Sequence, residues 1–120
     1  MTFELFIPVL PQMPNKLLKK HWSHIHREKS RWIVLIGSEL SKLSKPGKPF
    51  KKAHCTFVRR SSQQPDFDGL AGSFKYVLDA LVYWGVLVDD NPSVIGESTY
   101  RWEKAKLKDQ GIFIQIEATE

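Results

Sequence analysis

The chain has 120 residues, of which 42% are hydrophobic and 12% aromatic, and these values favour one folded domain over residues 1–120 rather than a disordered segment. A single cysteine excludes an intrachain disulfide, and no apolar run approaches the ~20 residues that a membrane-spanning helix needs. The opening MTFELFIPVL carries an acid and a proline where a signal peptide has a basic segment and a long apolar block. We therefore expect a cytoplasmic protein with no membrane partner.

The net charge of +5 is divided unevenly along the chain. Residues 1–60 hold 13 Lys and Arg against 3 Asp and Glu, whereas residues 61–120 hold 5 against 10. The first half therefore has a net charge of +10 and the second half −5. Such a concentration of positive charge is typical of a protein that binds a polyanion, although a solvated basic helix would give the same sequence pattern.

The first half of the chain predicts a strand, a helix and a second strand. FELFIPVL predicts the first strand. From about Ser23 to Leu43, apolar residues recur at three- and four-residue spacing, which predicts an amphipathic helix with Ser23 as its N-cap. SKPGKP ends this helix, and FKKAHCTFVRR predicts a strand. Ala53, Cys55 and Phe57 would share one face of that strand.

The second half predicts one further helix and two further strands. Apolar spacing indicates a helix from about Gly69 to Trp84, with Gly85 as its C′ residue. VLV is then a short extended run into the turn DDNP. SVIGESTYRWEK and IFIQIEA predict two strands joined by the turn KLKDQG, which would make a terminal hairpin. The order β-α-β-α-β-β predicts an α+β (mixed α/β) fold, in which two main helices pack on a mixed sheet.

Two acidic pairs flank the second predicted helix, Asp66 and Asp68 in PDFDGL and Asp89 and Asp90 in VDDNP. Taken singly, each pair has the composition of an ordinary turn. A helix over residues 69–84 would be ~24 Å long at ~1.5 Å per residue. The six residues that follow would cover ~20 Å if extended. If they double back along the helix, Asp90 returns to the neighbourhood of Asp66 and Asp68.

Three carboxylates that converge in this way would repel one another, and a divalent cation would remove the repulsion. Oxygen ligands without nearby His or Cys favour Mg²⁺ or Mn²⁺, and Mg²⁺ keeps water and phosphate oxygens among its ligands. That arrangement suits phosphodiester hydrolysis. Lys75, four residues before Asp79 on the same predicted helix, would then stabilise charge in the transition state. The other interpretation of Lys75 and Asp79 is an ordinary surface ion pair.

The stretch PDFDGLAGSFKYVLDALVYWGVLVDD resembles the core of the RusA-type Holliday junction resolvases, whose pattern is roughly Asp-x-Asp-Asn, a helix with Lys and Asp-Ala-Leu, then Gly and an Asp-Asp pair. The matching positions are Asp66, Asp68, Lys75, Asp79, Ala80, Leu81, Gly85, Asp89 and Asp90. The opening IPVLPQMPN, followed by HW, is also similar to the family, so the resemblance covers most of the chain. Two departures are Gly69, where many members have Asn, and Lys75, which follows Asp68 by seven residues rather than four.

The resemblance implies a Mg²⁺-dependent endodeoxyribonuclease, with Mn²⁺ as a substitute, which resolves four-way DNA junctions by paired symmetric cuts in recombination and repair. It implies a bacterial or phage-encoded homodimer, and two active sites related by a two-fold axis suit two symmetric cuts. It implies Asp66, Asp68 and Asp90 as catalytic and metal-binding residues, with Asp89 as a further metal candidate and Lys75 as a catalytic residue. The basic half would then contact DNA phosphates through Lys16, Lys19, Lys20, Arg27, Lys29 and Arg31.

Other interpretations stay open at this point. A zinc site at His21, His24 and His26 is disfavoured, because the only other histidine is His54 and the spacing matches no common zinc motif. A nuclease of the type in which Pro-Asp precedes an acid-x-Lys motif is disfavoured because the second motif is missing. A non-catalytic DNA-binding module with the same fold would bind junctions without cutting them. A structural dimer with an acidic Ca²⁺ or Mg²⁺ site would show no salt-dependent DNA affinity.

Overall fold

The computed structural model describes residues 2–14, 22–43, 48–96 and 98–119. Within these ranges the protein has an α+β architecture with one four-stranded mixed sheet. The elements in chain order are β1 (Thr2–Ile7), α1 (Trp22–Ser41), β2 (Ala53–Ser61), α2 (Phe67–Gly72), α3 (Lys75–Tyr83), α4 (Pro92–Ile95), β3 (Thr99–Lys104), a 3-10 helix (Leu107–Asp109) and β4 (Gly111–Ala118). None of the helices in the described ranges is long and apolar enough to cross a bilayer.

The sheet has the strand order β1-β4-β2-β3, and β4 runs antiparallel to both of its neighbours, whereas β2 and β3 are parallel. The predicted terminal hairpin is therefore wrong, because β2 lies between β3 and β4. Burial explains the order. β4 buries Ile112, Ile114 and Ile116 on one face and takes a central position, whereas β3 has no buried residue and lies at the edge.

Helix α1 packs against α3 and β1, and its buried face confirms the predicted spacing. Trp32 and Ile36 are fully buried and Leu40 nearly so. The prediction of Ser23 as N-cap is wrong, because the helix already includes Trp22 and Ser23 lies within its first described turn. The predicted end at Leu43 is also too late, since the helix ends at Ser41 and Leu43 is exposed.

A buried carboxylate anchors the first half of α1. Glu28 is only 4% exposed, and its Oε1 accepts hydrogen bonds from Trp32 Nε1 at 2.7 Å and from Arg31 Nη2 at 2.9 Å. Arg31 Nη2 also lies 3.3 Å from the carbonyl oxygen of Leu10, the residue that follows β1 by three positions. Glu28 therefore satisfies a buried indole N–H and links the helix to the loop after β1.

Replacing Glu28 by Ala should lower the free energy of unfolding by about 1–3 kcal/mol, because the indole N–H loses its acceptor. Glu39→Ala is the matched control, since Glu39 accepts an i,i+3 bond from the exposed Lys42 at 3.3 Å on the same helix. It should cost less than about 0.5 kcal/mol. Denaturant unfolding followed by circular dichroism measures both, and equal losses would contradict the structural role of Glu28.

The helix predicted over residues 69–84 is two helices, α2 and α3, interrupted at Ser73 and Phe74. The Ser73 hydroxyl donates to the carbonyl oxygen of Leu70 at 2.8 Å and its N–H to that of Gly69 at 2.9 Å, which closes α2. The interruption turns the Phe74 ring into the core, where it lies 5.1 Å from the Phe57 ring. The prediction for Gly85 is confirmed, since it follows the C-cap residue with φ of 75°.

The segment after α3 differs from its prediction. Leu87 forms only an isolated parallel bridge with Phe50. SVIGESTYRWEK was expected to be one strand, but Pro92–Ile95 is the short helix α4 and the strand begins at Thr99. Pro92 is the first residue of α4, where its fixed φ and missing N–H are favourable, and Gly96 ends the turn with φ of 54°.

Candidate functional site

A groove of about 490 Å³ lies where α1, α3 and the turn at residues 89–90 meet, and we call it the helix groove. Its lining residues are Lys29, Ile33, Lys75, Asp79, Val82, Tyr83, Asp89 and Asp90. The two lining residues of α1 are four positions apart in sequence. Successive lining residues of α3 are four, three and one positions apart, so each helix presents one face to the groove. The charged side chains in it come from three separate parts of the chain.

Trp84 holds the two helices of the groove together. Its Nε1 donates a hydrogen bond of 2.7 Å to the carbonyl oxygen of Ile33 in α1. Its indole ring packs so closely on Gly37 that a Cβ at that position would collide with the ring. The missing side chain at Gly37 therefore allows the end of α3 to dock on α1, and this contact fixes the spacing of the groove walls.

The chain reverses direction after α3 and brings Asp89 and Asp90 back to the groove. The N–H of Val86 donates to the carbonyl oxygen of Leu81 at 2.9 Å, which closes the turn around Gly85. The next residues are held by Phe50, whose N–H donates to Val86 at 2.8 Å. Because of this reversal, the acidic turn reaches the same groove as Lys75, the first residue of α3.

The two acids of this turn have different surroundings, although their sequence positions are adjacent. Asp89 Oδ1 accepts the N–H of Asp90 at 2.7 Å, and Asp89 Oδ2 accepts Asn91 Nδ2 at 3.0 Å. The carboxylate of Asp90 is exposed and forms no hydrogen bond or ion pair with any residue of the described ranges. Asp89 therefore shapes the turn, whereas the oxygens of Asp90 are open to a ligand.

Tyr100 of β3 is a half-buried phenol that the sequence did not single out. Its ring stacks on Phe57 at 5.3 Å between centroids and 16° between planes. Burial raises the pKa of Tyr100, and charge on Cys55 and on Asp90 raises it further. No sequence signal pointed to Tyr100, because its face depends on where β3 begins.

Lys75 is exposed in the groove, and its ammonium group lies 5.9 Å from the centroid of the Tyr76 ring. Among the described residues it forms no ion pair, so the surface pair with Asp79 that the sequence left open is not observed. Lys29 is exposed on the α1 side of the same groove. Two ammonium groups from different helices therefore line the same groove as Asp90.

Asp66 and Asp68 lie outside the helix groove. Asp66 is the N-cap residue of α2 and lines a second cavity of about 520 Å³, which is also lined by Arg59, Ser62 and Gln110 and which we call the Arg59 cavity. Asp68 is exposed in the first turn of α2 and lines neither cavity. In residues 2–14, 22–43, 48–96 and 98–119, no three His, Cys, Asp or Glu side chains are grouped so that they could hold one metal ion.

Gly69 lies in close contact with two neighbouring side chains. A Cβ at this position would collide with Asp66 Oδ1 and with Met13 Cε. Both atoms are the ends of flexible side chains, which would move aside for a larger residue. In this chain the glycine allows the Asp66 carboxylate to lie over the first turn of α2.

The predicted DNA-contact residues are only partly described. Lys16, Lys19 and Lys20, together with His21, lie outside the described ranges. Arg27 and Lys29 are exposed on α1, whereas Arg31 is engaged by Glu28 at 2.9 Å. Among the predicted DNA-contact residues that the structure describes, Lys29 lines the helix groove.

The donor groups of the helix groove suit a hard cation. Its titratable lining groups are carboxylates, ammonium groups and the Tyr83 phenol, without imidazole or thiol. Proteins commonly hold Mg²⁺ by one or two carboxylates, with waters and substrate phosphate oxygens as the remaining ligands. Asp90, whose oxygens have no other partner in the described part of the chain, fits this role.

The chain matches no family model, and no curated protein matches it. The arguments for a function are therefore the groove residues and the sequence pattern.

Proposed function

We propose that the protein is a Mg²⁺-dependent, structure-selective endodeoxyribonuclease of the RusA type, which resolves four-way DNA junctions by paired symmetric hydrolysis of phosphodiester bonds. The observation that supports this most is the position of Lys75 and Asp90 in one groove, together with Lys29 from another helix. These residues are far apart in sequence, and the resolvase pattern singles out the first two for chemistry. In this proposal the protein is a cytoplasmic homodimer from a bacterium or a phage.

In the proposed reaction, Asp90 would hold Mg²⁺, with Asp89 as a further candidate, whereas Asp66 and Asp68 lie outside the helix groove and are not assigned to this ion. When bound there, the ion would supply an activated water and charge stabilisation for the leaving oxygen. Lys75 places a positive charge beside the phosphate, where negative charge increases in the transition state. The carboxylate of Asp89 keeps the backbone N–H of Asp90 bonded at 2.7 Å, so that the turn presents Asp90 to the groove.

Lys29 and Arg27 have a positioning role in this proposal. Both are exposed on α1, in the half of the chain that has a net charge of +10. Contacts to DNA phosphates set the register of a duplex arm without reading its sequence. A homodimer would present two such grooves to the two opposing strands of a junction, which is what symmetric cleavage requires.

A labelled immobile four-way junction tests the activity. With Mg²⁺ we expect nicks at symmetric positions in two opposing strands, no nicks with EDTA, and much slower cutting of a linear duplex of matched sequence. The affinity for the junction should fall steeply with added salt, because phosphate contacts release counterions. Junction binding without nicks in either Mg²⁺ or Mn²⁺ would indicate a non-catalytic DNA-binding module, and affinity that does not change with salt would contradict DNA binding altogether.

A further inference from the structure

The Arg59 cavity contains a buried charge that the proposed reaction does not use. Arg59 is 8% exposed and lies on β2 in phase with Ala53, Cys55 and Phe57, so its side chain leaves the sheet on the face that the helices cover. Its Nη1 donates a hydrogen bond of 2.8 Å to the carbonyl oxygen of Pro11. Arginine stays protonated in proteins, so this wall of the cavity has a fixed positive charge.

No carboxylate in the described ranges compensates this charge. Asp66 lines the same cavity but forms no ion pair with Arg59. Burial lowers the pKa of Arg59, which expresses the cost of removing its guanidinium from water. A buried cation without an anionic partner is costly, and protein cations in this situation are usually paired. An anion from outside the described chain would supply the missing partner.

The rest of the cavity wall offers neutral hydrogen-bond donors on a fixed loop. Ser61 Oγ donates to the carbonyl oxygen of Gln63 at 2.8 Å and accepts Trp102 Nε1 at 3.0 Å. The N–H of Ser62 donates to Gln110 Oε1 at 3.0 Å. These bonds hold the loop after β2, whose residues Ser62, Gln63 and Gln64 line the cavity.

We propose that the Arg59 cavity binds a phosphate group of the nucleic-acid backbone, with the Arg59 guanidinium as its cationic partner. Guanidinium groups match phosphate oxygens with a planar fork of N–H donors. The volume of about 520 Å³ can hold a nucleotide unit rather than an isolated ion, and Met13 and Leu107 supply apolar wall for the sugar or base. That the phosphate belongs to a nucleic acid rests on the proposed nuclease function. Asp66, which lines the same cavity, would then face the bound strand.

Titration of the wild-type protein with inorganic phosphate at constant ionic strength tests the cavity without any cleavage. We expect saturable shifts in the NMR signals of Arg59 Nε–H and of the Ser62 and Gln63 backbone amides. Arg59→Met should weaken this binding at least about 10-fold, the size expected for one charged hydrogen bond. Arg59→Lys keeps the charge but loses the planar set of N–H donors, so its phosphate affinity should lie between those of wild type and Arg59→Met. This variant provides the test if Arg59→Met does not fold.

Arg60→Met is the matched control, because Arg60 lies on the opposite face of β2 and pairs with Glu103 at 3.0 Å. It should leave phosphate binding unchanged. Shifts confined to surface lysines, or equal affinity in wild type and Arg59→Met, would overturn the cavity as an anion site. With four-way junction DNA, Arg59→Met should reduce the slope of log affinity against log salt by about one, as for one lost phosphate contact. If inorganic phosphate binds but Arg59→Met leaves the salt dependence of junction affinity unchanged, the cavity is not a nucleic-acid site. The nuclease proposal would still be tested separately by the junction cleavage assay.

Discussion

Replacing Asp90 by Asn is expected to reduce junction cleavage by at least 10²–10³-fold, on the order of the loss seen when one transition-state contact is removed. The carboxylate of Asp90 is the exposed acid of the helix groove whose oxygens have no partner in the described part of the chain. An amide keeps the size of the side chain but is a much poorer Mg²⁺ ligand. Junction affinity should stay the same or increase, because one charge that repels phosphate is gone.

Two other acids serve as controls for Asp90→Asn. Asp89→Asn should have a much smaller effect on cleavage, since both Asp89 oxygens are bonded within the turn and an asparagine keeps one acceptor oxygen. Asp109→Asn should have none, because Asp109 is exposed on the 3-10 helix and lines neither cavity. Single-turnover cleavage and gel-shift affinity are to be measured for all three. Wild-type cleavage by Asp90→Asn would remove Asp90 from the site.

Lys75→Met is expected to reduce the cleavage rate constant by about 10²-fold with little change in stability. Lys75 is exposed and forms no ion pair among the described residues, so its removal leaves no buried group without a partner. The loss should persist when the protein is in excess over the junction, because the charge acts on the transition state rather than on binding. Restoration of part of the rate by Lys75→Arg would support a charge effect.

Lys104→Met is the matched control for Lys75, since it removes the same charge from an exposed position on β3, away from the helix groove. It should weaken junction binding slightly and leave the cleavage rate constant unchanged. If both variants lose only affinity, and lose it equally, Lys75 is an ordinary phosphate contact and the catalytic assignment fails.

Local features of the fold could be predicted from the sequence, whereas pairings between distant segments could not. The buried face of α1 at Trp32 and Ile36 follows from helical spacing. The hairpin prediction failed because strands that are adjacent in sequence need not be neighbours in the sheet. β4 lies between β1 and β2, so β3 pairs with β2 instead of β4. The break at Ser73 was missed because apolar spacing continues through it, while the serine hydroxyl closes the turn.

In the candidate site, too, some features could be predicted from the sequence and others could not. The helix length and the length of the run after it predicted that Asp90 returns to Asp66 and Asp68. Asp90 does return to the groove that Lys75 lines, but Asp66 and Asp68 do not line that groove. The difference between Asp89 and Asp90 depends on hydrogen bonds within the turn, which adjacent identical residues cannot reveal. Arg59 carried a usable signal, because it continues the alternation of the buried face of β2. An arginine in phase with buried residues is a reason to look for an anion.

The claim that Asp90 binds the metal ion is tested most directly by locating the ion. Mn²⁺ can be added to the isotope-labelled protein while the paramagnetic broadening of its backbone amide signals is recorded. The account predicts saturable broadening centred on Asp90 and extending to Asp89, which excess Mg²⁺ reverses and Asp90→Asn abolishes. Broadening that is equally strong in Asp90→Asn, or that is centred on acids outside this set, would contradict the account.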